Sequence, residues 1–128
     1  MKYYNTKIVD YSYDEALVKV AEELKKEGFG VLTEIDVKET LKNKIDVDFR
    51  RYKIMGACNP SFAHKAISTE DNLGVLLPCN FVVQENKDGK TQISSVNPLI
   101  SMQSVENANL EPIAKEVSEK LSRVMSNL

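Results

Sequence analysis

The sequence predicts an α+β two-layer sandwich, a five-stranded sheet with helices on one face. Three observations predict it. Short runs rich in β-formers alternate with runs whose apolar residues recur at helical spacing. An Asp88-Gly89 pair joins two neighbouring strands as a tight hairpin. A chain of 128 residues with 42% hydrophobic and 28% charged content suits one buried core, so residues 1–128 read as a single domain.

The elements follow in order. Tyr3 to Val9 is a strand. Ser12 to Glu15 forms a capping box that opens a helix over Tyr13 to Lys26, where Ala16, Leu17, Val20, Ala21 and Leu24 make one apolar stripe and Gly28 supplies the left-handed end. Phe29 to Ile35 is the second strand, and Asp36 with Glu39 caps a short polar helix through about Lys44. Phe49 to Ala57 is the third strand, Pro60 to about Thr69 a short helix, and Gly74 to Gln84 a long apolar fourth strand interrupted by Pro78. The turn Asn86 to Gly89 returns the chain as Thr91 to Val96, which Asn97-Pro98 ends. Leu99 to Ala108 lacks periodicity, with Leu99, Ile100 and Met102 either a lid over a pocket or ordinary packing. Asn109 caps a final helix carrying Ile113, Val117, Leu121 and Val124 on one stripe.

Strand four is apolar on both parities, so both sheet faces need cover, and a homodimer packed through the sheet is the simplest cover. A formal net charge of −2 gives no basic field for phosphates, so nucleic acid is not an expected partner. Arg50, Arg51 and Lys53 around Tyr52 are split between faces by strand alternation and read as solvated. The amino terminus lacks the apolar core of a secretory signal, and no apolar run approaches the ~18 residues that span a bilayer. No membrane association and a cytoplasmic location are therefore expected, with both cysteines reduced. Gly28-Phe29-Gly30 lies between a helix and a strand, the reverse of the order that aims a helix N-terminus at a dinucleotide. Glu34 and Asp36 share a strand parity and could pair for acid-base work, against the simpler role of Asp36 as a helix cap.

The chemistry-bearing residues gather at two asparagine-flanked cysteines, Cys58-Asn59-Pro60 and Pro78-Cys79-Asn80. Pro60 suits the first turn of a helix, which puts Asn59 at the N-cap and Cys58 just outside it, a setting that favours the thiolate form. His64, the sole histidine, lies on the same helix as a potential base or ligand. Three readings stay open. The first is a small dimeric binding or sensing domain whose pocket collects Cys58, Asn59, His64, Cys79 and Asn80 around a small ligand, metal or sulfur species. Two thiols and an imidazole would supply three ligands to a soft metal, although the Cys-x20-Cys spacing has no metal knuckle. The second is a cysteine-dependent enzyme with Cys58 as nucleophile or redox thiol and His64 or Cys79 as partner. The third is an interaction or assembly module with structural cysteines, because Cys79 shares the parity of Phe81 and Val83 and Cys58 that of Tyr52 and Ile54, so both would face a core. Cofactor and reaction do not follow from the residues.

The ordered segments Gly28 to Val37, Tyr52 to Pro60, Ala63-His64 and Leu76 to Asn80 closely resemble the prokaryotic domain-of-unknown-function family numbered 302, over nearly the whole chain. The resemblance implies a fold similar to TATA-binding-protein-like domains and a homodimeric state, and it carries no catalytic role. One departure stands out at Lys44-Ile45-Asp46, where a glycine after the short helix would be usual.

Overall fold

In a computed structural model of the chain, which describes residues 2–128, most elements begin or end on a local signal. After β1 (Tyr4–Val9), α1 (Tyr13–Lys26) starts at Ser12, whose hydroxyl accepts from the Glu15 amide at 3.1 Å. It ends in a Schellman turn in which Gly28, at φ 83°, donates to the Lys25 carbonyl and Phe29 donates to the Leu24 carbonyl. A residue with a Cβ adopts that φ at a cost, so the glycine fixes where the chain enters β2 (Gly30–Asp36). Asp36 caps α2 (Val37–Ile45) by accepting from the Glu39 amide at 3.0 Å. Its carboxylate therefore serves the helix. The left-handed residue that follows α2 is Asp46, at φ 52°, where the sequence lacks the usual glycine.

The remaining elements are β3 (Tyr52–Cys58), α3 (Pro60–Thr69), β4 (Cys79–Glu85), β5 (Thr91–Val96), α4 (Pro98–Ser101) and α5 (Glu111–Ser126). Several boundaries differ from the sequence reading, some by a single residue. Strand three starts at Tyr52 rather than Phe49. Strand four starts at Cys79, not Gly74, because Asp71–Leu76 coils into a 3-10 turn that buries Leu73 among helices. The Leu77-Pro78 peptide, in cis, leads into the strand instead of interrupting it. Asn97-Pro98 not only ends β5 but opens α4, with the Asn97 side chain accepting from the Leu99 amide at 3.2 Å. Before α5 it is Asn107, not Asn109, that caps, and it caps a 3-10 turn over Ala108–Leu110.

The sheet is wholly antiparallel in the order β1-β5-β4-β3-β2. Strand alternation turns Met55, Ala57, Phe81, Val83 and Ile93 to one face, where α1 buries Ala16, Val20 and Leu24 and α5 buries Val117, Leu121 and Val124 against them. A second, smaller apolar cluster forms beyond the end of the sheet from Ala66, Leu73 and Leu110, with Met102 and Ile113 packed on it. The other sheet face is not covered by α1, α3 or α5. Its positions include Ile8, Ile35, Ile54 and Val82, with Thr6, Gln92 and Ser94 between them.

Candidate functional site

Where the two apolar clusters meet they do not close. A cavity of about 320 Å³ remains between the ends of β2, β3 and β4, the face of α3, and α5. Small residues leave the space: Ala57 on β3, Ala63 and Ala66 on α3, Gly74 on the 3-10 turn and Ala114 on α5 all lie on its wall. Larger apolar groups complete it, with Phe29, Phe62 and Met102 among them. Met102 thus both packs the smaller core and walls the cavity, so the two readings of its segment are not exclusive.

Both cysteines line this cavity, and both are free thiols. Cys79 opens β4 opposite Ala57, on the helix-covered face, and is 8% exposed. Burial in apolar surroundings pushes its thiol up to about 11, with the nearby Cys58 adding to the shift. It stays protonated at neutral pH. Cys58 ends β3 and is half-buried. By strand parity it belongs with Tyr52 and Ile54, and that parity faces away from α1 and α5, so the expectation that this set faces the core is corrected. Cys58 reaches the cavity because the chain turns there into α3.

Asn59 makes that turn. Its side-chain oxygen accepts from the Phe62 amide at 3.4 Å and its amide donates to the Glu27 carbonyl at 3.5 Å, tying the start of α3 to the end of α1. Glu27 is itself fastened to α5, since Arg123 donates to its carboxylate at 3.0 and 3.1 Å and holds it below the usual carboxylate range. Asn59 lines the cavity, yet both ends of its amide serve the fold. Most of the first turn of α3 is committed too: Pro60 has no N–H, and the Phe62 and Ala63 amides donate to the Asn59 side chain and carbonyl.

The structure does not bring His64 and Asn80 to the cavity. On α3 the wall is Phe62, Ala63, Ala66 and Ile67; at 100° per residue His64 lies about 130° from the centre of that face, and it is exposed. Asn80 is also exposed, on the face of β4 turned away from the helices, opposite Gly56. Among the described residues no three His, Cys, Asp or Glu side chains are grouped to hold a metal ion. The basic cluster is spent on internal contacts. Arg51 pairs with Asp14 at 2.7 Å, Arg50 donates to Gln84 at 3.1 Å, and Lys53 lies 4.0 Å from Glu34.

Two features of the site had no sequence signal. One is the bulge in β2, where the register slips between Val31 and Thr33, leaving Leu32 on the cavity wall yet 68% exposed. The other is Gly56, where a Cβ would collide with Thr33 Oγ1 and come within 2.6 Å of Pro78 Cγ. The Pro78 ring and the Thr33 hydroxyl therefore close over the bare backbone of Gly56 beside the cavity. The small residues on α3 were legible in principle: Ala63, Ala66 and Ile67 share one helical face with Phe62, and His64 does not.

No helix among the described residues is long and apolar enough to cross a membrane. The sequence matches no curated protein. A crystal structure of an uncharacterized conserved DUF302 protein from Bacillus stearothermophilus is similar to this chain at 29% identity, covering 98% of each chain with a TM-score of 0.91. The family described as "Domain of unknown function DUF302" matches residues 5–128. With cavity, cysteine-bearing turn and fold in place, the chain belongs to the DUF302 family.

Proposed function

We propose that the chain is a small dimeric binding or sensing domain whose cavity receives a small molecule beside Cys58 and Cys79. The observation that carries this reading is the preformed void of about 320 Å³ at the junction of two cores. Interiors of this size close at high density unless side chains are kept small, and here five alanine or glycine positions keep it open. Its volume falls in the range of small-molecule pockets. The geometry favours binding over nucleophilic catalysis by Cys58, because His64 points elsewhere and no carboxylate lines the wall to take a proton. It also favours an organic ligand over a metal, since the two thiols have no third ligand beside them.

The dimer is supported by the sheet face that α1, α3 and α5 leave uncovered. The positions alternating onto it away from the cavity are Tyr, Thr, Ile, Val, Gln, Asn, Ser and Gly, none of them charged although 28% of the chain is, and Arg50, from beyond the start of β3, reaches over Tyr52 to donate to Gln84. Depletion of charge on a half-apolar face is what an interface core requires, and a two-fold pairing would cover it. Free thiols fit a reducing compartment such as the cytoplasm.

Alkylation tests the binding reading. N-ethylmaleimide should modify Cys58 in the native protein, and saturating N-phenyl-1-naphthylamine should slow that reaction several-fold by occupying the cavity. An unchanged rate at saturating dye would contradict the reading. Sedimentation equilibrium tests the dimer, which should weigh twice the 14.4 kDa chain; Ile54→Asp should halve it, and a wild-type monomer at micromolar concentration would rule the dimer out.

A further inference from the structure

We infer that the cavity selects an uncharged, predominantly hydrocarbon ligand and rejects anions, entering between Leu32 and Ile67; this rests on the cavity being a binding site. No residue on its wall is an aspartate, glutamate, lysine, arginine or histidine, so a charged ligand would meet no countercharge. A charge moved from water into such surroundings without a partner is strongly disfavoured.

A helix N-terminus is the usual device for holding an anion without basic side chains, and α3 begins at this wall. That device is largely spent. Pro60 contributes no N–H, the Phe62 and Ala63 amides are taken by Asn59, and Ser61, whose amide is left, is exposed and off the cavity wall. The Asn59 amide is turned to Glu27, and Cys79 is a buried neutral thiol. The polar side chains left on the wall are the two thiols and Thr33, whose hydroxyl lies against Gly56. These suit at most one weakly polar substituent.

The mouth points the same way. Leu32 is pushed out by the β2 bulge, Ile67 stands on α3, and Val75, 84% exposed, follows the wall residue Gly74. Exposed aliphatic groups at the rim of an apolar cavity extend the apolar surface outward, so a hydrocarbon ligand keeps contact along its entry path. At interior packing density, about 20 Å³ per non-hydrogen atom, the void holds roughly sixteen such atoms, the size of an aryl-substituted bicyclic ring or a branched chain.

The matched probes are N-phenyl-1-naphthylamine and its 8-sulfonate, which share a ring system and differ by one negative charge. Fluorescence titration of the full chain should give a Kd for the neutral dye at least tenfold below that of the sulfonate. Ala63→Trp, which fills the cavity, and Ile67→Trp, which obstructs the mouth, should each weaken the neutral dye at least tenfold; the second variant, at a partly exposed position, serves if the first does not fold. Equal or tighter binding of the sulfonate, still lost in these variants, would overturn the charge selection and leave the binding site standing. Failure of both dyes to bind, or binding indifferent to both variants, would overturn the binding site and this inference together.

Discussion

Replacing Gly56 with alanine adds a single methyl group at the point where β2, β3 and the Pro78 segment converge. The new Cβ would lie 2.6 Å from Pro78 Cγ against the 3.4 Å of ordinary contact, a shortfall of about 0.8 Å, and it would overlap Thr33 Oγ1 more severely. Neither neighbour yields freely. Thr33 belongs to β2, paired with β3 at Gly56 itself, and Pro78 is a ring fixed to the backbone next to Cys79. Overpacking of this kind costs about 1–3 kcal/mol, and in a chain of this length it should lower Tm by about 4–12 °C. Urea denaturation of wild type and Gly56→Ala should show the loss as a lower midpoint at unchanged slope. Adding Thr33→Ala should recover part of it, because that removes the harder of the two contacts. Gly74→Ala is the control, since its added Cβ meets nothing within 4 Å. A Gly56→Ala protein within 0.5 kcal/mol of wild type would refute the close approach of Pro78 and Thr33, and with it the wall they form.

Three further perturbations address separate parts of the account. Asp46→Gly should stabilise the protein by about 0.5–1 kcal/mol, because Asp46 holds φ 52° and glycine adopts it without the Cβ penalty; a lower denaturation midpoint would show that its exposed pairing with Lys42 outweighs the strain. Ser95 is 2% exposed and its hydroxyl has no partner among the described residues, so Ser95→Ala should be neutral or stabilising by about 1 kcal/mol, and a loss above that would mean the hydroxyl is bonded. Cys79 has a folded-state value raised from 9.0 to about 11, so the unfolded chain ionises first as pH rises. The resulting stability is complete below about pH 9 and declines toward pH 11, by about 3 kcal/mol in all. Cys79→Ala should flatten that alkaline decline in urea midpoints measured from pH 8 to 11, and an unchanged slope would contradict the buried neutral thiol.

Local signals carried most of the fold. Ser12 and Gly28 bracket α1 because capping and a left-handed glycine act within a few residues, and Asp36 opens α2 for the same reason. The misread segments are those whose conformation is decided at long range. Leu73 to Leu77 is a continuous apolar run, which has no period to separate a buried strand from a coil packed under helices. Asn59-Pro60 and Asn97-Pro98 carry the same signature and both start helices, but the second helix has four residues and too little length to show periodicity. At the site, the positions of Cys58 and Asn59 were legible from the Asn-Pro pair. The placement of His64 turned on which helix face met α5, and the cavity itself depends on alanines from three elements converging, a property of packing that no single segment displays.

The most direct test of the account is a two-dimensional NMR titration of protein carrying 13C-labelled alanine methyl groups with N-phenyl-1-naphthylamine. Ala57, Ala63, Ala66 and Ala114 report from the cavity wall, while Ala16, on the buried face of α1, reports from the filled core. The account predicts saturable shifts at the four wall methyls with Ala16 unmoved. Saturable binding that leaves all four wall methyls in place would contradict it.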